Sequence, residues 1–223
     1  MGRGRLLSVA LVTGLIVFLP GPPEPEGKVN PERFRASIER LDSDVRDRMI
    51  GSSWRRGCPV PLRDLRLVRV THWGFDGKPA NGRLVIQDRY AKPITWVMQQ
   101  LFEGGFRIRL MRLVDAYGAS DRLSMRADNT SAFNCREIAG RPGVWSQHAF
   151  GAAIDINPVE NPYVTGDYVS PPAGRPFADR TPRRRGMIAP DGAVVRAFAR
   201  IGWGWGGDWS DPRDYQHFSA TGG

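Results

Sequence analysis

The chain has 223 residues, 41% of them hydrophobic and 25% charged, with 7 Trp and 10 Phe, which suits one ordinary domain and excludes an intrinsically disordered chain. Its 32 basic and 23 acidic side chains leave a formal charge of +9, which favours an anionic partner without choosing one. The basic residues are mostly scattered arginines, and the one dense run, Arg183-Arg184-Arg185, lies in a Pro-rich loop without interleaved aromatics, so no nucleic-acid partner is expected.

At the N-terminus, Arg3 and Arg5 precede an uncharged apolar run of 14 residues, Leu6 to Leu19, broken by Pro20. That length matches the core of an export signal and falls short of the ~20 residues of a comfortable bilayer span. The following PGPPEPEG offers no small-x-small cleavage site, so a cleaved signal and a retained anchor both stand. Residues 1–27 read as an export signal or signal anchor with a Pro/Gly spacer, and membrane contact is expected only there. The expected location is extracellular, in the cell wall or at the outer face of the cytoplasmic membrane. Cys58 and Cys135 are the chain's two cysteines, and in an oxidising compartment such a pair is joined; two buried free thiols are the alternative.

Residues 28–54 read as an amphipathic helix and linker. Asn30 would cap it, Pro31 would fit its first turn, and Phe34, Ile38, Leu41, Val45 and Met49 recur at helical spacing. From Cys58 onward short apolar runs alternate with tight turns, the texture of an α+β domain. Strands are predicted over Leu65–Thr71 and Arg83–Gln87, with a turn at Phe75–Gly82 between them. A helix beginning near Pro93 would bury Ile94, Val97, Met98 and Leu101 and stop at Gly104-Gly105. Strands are predicted again over Phe106–Val114 and Ser131–Arg136. Asn161 to Pro190 is a long Pro-rich loop or lid, a length usually kept for function. A last helix, capped by Asp191, would bury Val194, Val195, Phe198 and Ile201 and end at Gly202. Tyr215–Ser219 closes the chain as a strand.

Of the three histidines, His72 reads as a structural strand residue. His148 and Asp155 sit in SQHAFGAAIDINP, Ser146 to Pro158. Strand alternation there puts Ala153 and Asp155 on one face and Ile154 and Ile156 on the other, so the carboxylate is held on a rigid element and can face the imidazole. His217 is a third candidate ligand, with Asp214 three residues before it. Two imidazoles and one carboxylate form a known ligand set for a catalytic zinc, and a further carboxylate beside it would serve as base. An exposed ion pair between Asp214 and His217 is the plainer alternative.

Together these stretches resemble one family. SQHAFGAAIDINP is similar to the S-x-H-x-x-G-x-A-x-D signature of the D-alanyl-D-alanine carboxypeptidase and dipeptidase family of zinc peptidases, which includes VanY-type enzymes and phage L-alanyl-D-glutamate endopeptidases. DYQHF matches the family's second motif, an acidic residue three positions before a histidine. The resemblance runs from about Cys58 to Ser219. It implies one Zn2+ per chain on His148, Asp155 and His217, with Asp214 as general base and acid. It also implies an arginine facing the scissile carbonyl, for which Arg136 is the first choice and Arg126 the competitor. Ser146 would touch substrate or orient the neighbouring ligand. Trp203, Trp205 and Trp209, with Asp208 among their glycines, would either wall the cleft, making Trp205 and Asp208 substrate-binding, or form a packed aromatic corner.

The implied fold is a small antiparallel central sheet flanked by helices, as in hedgehog-like and D-Ala-D-Ala-peptidase-like domains, with residues 55–223 as the catalytic domain. The implied activity is hydrolysis of peptidoglycan stem peptides by an exported monomer, most directly as a D-alanyl-D-alanine carboxypeptidase. An L-alanyl-D-glutamate-type endopeptidase and a non-catalytic, zinc-containing wall-binding module are the alternatives. The basic surface suits anionic wall polymers.

Overall fold

The computed structural model describes residues 33–222, together with Met1. The export signal or anchor expected over 1–27, and the cap expected at Asn30-Pro31, lie outside the described residues. No helix among the described residues is long and apolar enough to cross a membrane.

The elements run β1 (Ala36–Arg40), α1 (Ser43–Met49), β2 (Leu65–Trp73), β3 (Pro79–Gln87), α2 (Asp88–Glu103), β4 (Leu110–Met111), α3 (Asp121–Arg126) and β5 (Asn129–Thr130). They continue with β6 (Glu137–Ile138), β7 (Arg141–Trp145), β8 (Ala153–Asp155), β9 (Tyr163–Thr165), β10 (Tyr168–Ser170), α4 (Ala193–Arg200), β11 (Gly204–Trp205), β12 (Arg213–Asp214) and β13 (His217–Ser219). The architecture is α+β, as expected, but the single central sheet is replaced by several small ones. Three have three strands, in the orders β1-β2-β3, β10-β9-β12 and β11-β13-β8.

The β2–β3 hairpin carries the core because its alternation is apolar on both faces. Val68 and Val70 on β2, with Leu84 and Ile86 on β3, pack against Ile94, Val97, Met98 and Leu101 of α2. Their neighbours Leu65, Leu67 and Val85 point the other way, onto Leu41, Val45 and Met49 of the α1 segment and onto Phe133. A strand's period of two produces this division, and an apolar layer on each side buries the sheet.

The stripe expected to be one helix over 28–54 splits. Ile38 pairs with Val68 on β1, at the edge of the hairpin sheet, and Phe34 lies against Phe102. Leu41 leads into α1, where Asp42 caps by accepting a hydrogen bond from the Val45 amide at 2.8 Å. Helical and extended spacings coincide over so few apolar residues, and the capping aspartate breaks the run. In α2 the predicted start at Pro93 is five residues late. The helix opens at Asp88, and Pro93 lies inside it; burial of Ala91 and Ile94 on either side of the proline outweighs the hydrogen bond it cannot donate.

Two predicted strands shrink, each for its own reason. Over Phe106–Val114 only Leu110–Met111 is a strand, because side-chain amides take the backbone groups a ladder would use. Asn157 binds the Arg109 amide and the Arg107 carbonyl, and Asn129 binds both backbone groups of Arg112. Ser131–Arg136 is irregular, since successive residues bond to different elements: Ser131 to Asp155, Phe133 to Val85 and Cys135 to Ser53. The last helix is capped at Gly192 instead of Asp191. The expected loop from 161 to 190 carries the β9–β10 hairpin, and its base is fastened by Asn161 and Arg180, which bind Ile156, Glu160 and Ile188.

Cys58 and Cys135 form a disulfide across a sequence separation of 77. Closing so long a loop stabilises mainly by restricting the unfolded chain. The Cys58→Ser/Cys135→Ser double variant is therefore expected to lose about 2–5 kcal/mol, read as a lower Tm. An unchanged Tm would show the bond to be energetically idle.

Candidate metal centre and catalytic groups

The site is built on the β8–β13 pair. Asp155 and His217 are directly opposite each other in register, while Ile154 and Phe218 form the neighbouring pair. Alternation sends Ile154 and Phe218 into the core and leaves the aspartate and histidine together on the other face. Asp155 is also bonded through its backbone to Ser131 on its free side, at 2.9 and 3.1 Å. The carboxylate therefore stands on a rigid support.

His148 arrives from a short helical turn, Gln147–Phe150, whose cap is Ser146; the Ser146 hydroxyl accepts a hydrogen bond from the His148 amide at 3.3 Å. Ser146 is buried, and the contact it makes orients the ligand turn. Gly151 ends that turn at φ +60, and a Cβ there would come within 2.6 Å of the Gln87 amide nitrogen. Only glycine meets both conditions. The signature glycine thus lets the histidine turn dock on the end of the core hairpin.

The three side chains converge. His148 Nε2 lies 3.3 Å from Asp155 Oδ2, and His217 Nδ1 lies 3.0 Å from Asp155 Oδ1. His148 Nδ1 is 2.6 Å from the Ala132 carbonyl, so that nitrogen carries the proton and Nε2 is left as a donor. One donor atom from each residue falls within 4.8 Å of the others, and the two histidines are buried. Burial pushes the Asp155 carboxyl up, yet His148 and His217 together hold it well below the ordinary carboxylate range. Burial likewise pulls the His148 imidazole down, while the charge of Asp155 sets it above its usual value. An ionised carboxylate and two imidazoles, fixed by backbone and carbonyl contacts, fit a tetrahedral zinc site with an open position.

Asp214 sits beside this set on β12, opposite Tyr163 of β9. Burial, reinforced by the charge of Asp155, pushes its carboxyl up to about 6, and Oδ1 has no hydrogen-bond partner. A carboxyl with a raised affinity for its proton and one oxygen left without a partner is suited to proton transfer. Arg136 bonds through its backbone carbonyl to the Ser146 amide and is ion-paired with Asp121; its charge is felt at His148. Arg126 is exposed on the last turn of α3, so of the two arginines Arg136 is the one shown to act on His148.

Of the expected substrate contacts in residues 203–209, Trp205 is buried and Asp208 is exposed. Trp205 is a core residue, stacked on Phe218, with its indole nitrogen donating to the Tyr215 carbonyl at 2.8 Å, and Trp203 packs on Phe198. The packed-corner reading holds for both. Trp209 is the half-buried tryptophan at the site, 5.6 Å from the His217 ring. Asp208 remains exposed on the turn Gly206–Asp208.

Sequence reasoning also missed Asp121, Tyr163 and Gly206. A Cβ on Gly206 would lie 2.6 Å from the Asp214 carbonyl oxygen and 3.3 Å from the His217 Cβ. The glycine-tryptophan alternation in GWGWGGDW was the available signal, because a backbone passing close to large rings or to a ligand strand requires glycine. Gly206→Ala is expected to shift Asp214 and His217 together, costing about 1–3 kcal/mol of stability and weakening zinc affinity; calorimetric zinc titration and thermal unfolding read both. Wild-type zinc affinity in that variant would contradict the close packing.

The site thus gathers three converging side chains that could hold a metal ion, a buried carboxyl with one oxygen left without a partner, and the Arg136 charge nearby. Residues 139–220 match a family model described as D-alanyl-D-alanine carboxypeptidase. That segment contains all three donors and Asp214, and the match supports the zinc peptidase family the motifs resemble. Comparison with curated proteins and with solved structures returned no match.

Proposed function

We propose that the chain is an exported zinc peptidase that hydrolyses peptide bonds in peptidoglycan stem peptides, most directly as a D-alanyl-D-alanine carboxypeptidase with a hedgehog-like catalytic domain. The observation that carries this reading is the convergence of His148, Asp155 and His217 beside Asp214, within the segment that matches the family model. His148 Nε2, His217 Nδ1 and an Asp155 oxygen would hold the ion, which when bound supplies a Lewis acid and water activation near neutral pH.

The remaining work falls to the chain's own groups. Asp214 takes the proton from the attacking water and returns it to the departing amine. Its burial, which outweighs the hydrogen bond from Gln216 and leaves Oδ1 without a partner, keeps its basicity high enough for both transfers. Arg136, held by Asp121, faces the oxygen on which negative charge develops, a contact worth ~3 kcal/mol or more in such sites. The formal charge of +9 suits an anionic wall. The loop from 161 to 190, which presents Tyr163 beside Asp214 and the exposed Tyr168, would set which bond is cut.

Digestion of purified muropeptides followed by mass spectrometry tests the substrate. Loss of a single terminal alanine is expected. Cleavage between L-alanine and D-glutamate would replace the carboxypeptidase reading with the endopeptidase one, and intact muropeptides with a zinc-loaded protein would favour the binding module.

A further inference from the structure

Away from the metal centre, a cavity of 330 Å³ opens between the end of α2, the start of α4 and the loop that precedes it. Three arginines line it, Arg107, Arg184 and Arg185, with Phe106 and Met187 as apolar wall, and no Asp or Glu is among its lining residues.

Each arginine is anchored without a counter-charge. Arg185 Nη1 donates to the Phe75 carbonyl at 2.8 Å and Arg184 Nη1 to the Pro176 carbonyl at 2.7 Å. Arg107 lies over the Trp73 ring, and its Nη1 is shielded from solvent with no hydrogen-bond partner. Among the described residues none of the three makes an ion pair. Asp179 is the acid that feels the charge of Arg184, but it is exposed, and its carboxylate accepts from the Thr181 amide. The first turn of α4 adds to the same wall, and Gly192 gives it no side-chain cap.

Carbonyl anchors fix the guanidinium groups of Arg184 and Arg185, the Trp73 ring supports that of Arg107, and further N–H donors are left free. Gathering three cations at one cavity costs repulsion that the exposed Asp179 offsets only in part, through Arg184, and an anion of matching charge would offset more of it. Guanidinium forks match the oxygens of phosphate, and a phosphate dianion takes up more of the triple charge than one carboxylate would. The cavity volume leaves room for a small organic substituent against Phe106 and Met187.

We infer that this cavity is a binding site for a phosphate group, distinct from the metal centre and independent of the activity proposed there. A free small phosphate and a phosphodiester chain present the same chemistry. The full-length, zinc-loaded protein is titrated by calorimetry with inorganic phosphate, and separately with a short glycerol-phosphodiester oligomer, at fixed ionic strength with chloride as control. Saturable binding of either is expected; tighter binding of inorganic phosphate would assign a small ligand, and tighter binding of the oligomer a polymer.

Arg107→Gln, whose side chain anchors no loop carbonyl, is expected to weaken binding at least ~10-fold with an unchanged unfolding transition in chloride. Arg184→Gln/Arg185→Gln should do the same. Arg136→Gln, at the metal centre, should leave phosphate binding as in wild type. Binding no stronger than chloride, binding unaffected by Arg107→Gln, or binding lost in Arg136→Gln would each overturn the proposal.

Discussion

Asp214→Asn is expected to abolish turnover, by at least ~10³-fold, while leaving zinc content at wild-type stoichiometry. The amide keeps the size of the carboxyl and the pairing of β12 with β9, but cannot accept a proton. The same substitution should stabilise the metal-free protein at neutral pH. In the folded state the carboxyl is pushed up from 3.8 to about 6. Folding therefore opposes its ionisation: stability is full below pH 3.8 and is lost as pH rises through about 6. Asparagine removes that loss, a gain of about 1–3 kcal/mol at pH 7 that should vanish below pH 4. Chemical denaturation of the metal-free proteins at pH 4 and pH 7 measures it. In the wild-type enzyme kcat/KM should rise with pH as Asp214 deprotonates. A bound dication draws the value down, so the midpoint falls at or below about 6. Full activity in Asp214→Asn would remove this carboxylate from the mechanism.

His217→Ala has the second large effect. It removes one donor and also the imidazole that faces Asp155 at 3.0 Å, leaving His148 and Asp155 to hold the ion alone. Zinc affinity should fall at least ~100-fold, and hydrolysis should fall with it, recovering in part at excess zinc. Because Phe218 and its pairing with Ile154 are untouched, the metal-free variant should still fold, with a lowered unfolding transition because the buried Asp155 loses one partner. Zinc retained at full affinity would place the ion elsewhere.

The convergence of His148 and Asp155 was legible because a local rule applies to that stretch. Strand alternation in Ala153–Ile156 placed Asp155 opposite the core face, and the glycine before it fitted a turn; both features are short-range. The register that sets His217 against Asp155 is long-range, and only the motif resemblance joined the two stretches. Trp205 was open between two readings because a tryptophan among glycines reads the same whether it lines a cleft or packs on Phe218. The split of the first helical stripe turned on Asp42, whose capping role depends on β1 pairing with β2. The tethering of 106–114 by Asn129 and Asn157 was invisible for a similar reason: a buried asparagine that replaces a sheet ladder has no periodic signature. Asp121 could not be found from spacing at all, since its link to Arg136 is purely tertiary.

The central claim is that one zinc, held by His148, Asp155 and His217, serves hydrolysis. It is tested by measuring zinc per chain and the release of D-alanine from a peptide ending in D-Ala-D-Ala, before chelation, after chelation and after zinc is returned. One zinc per chain, with release lost on chelation and restored by zinc, is the predicted result. Stoichiometric zinc with no cleavage of this or any other stem peptide would contradict it.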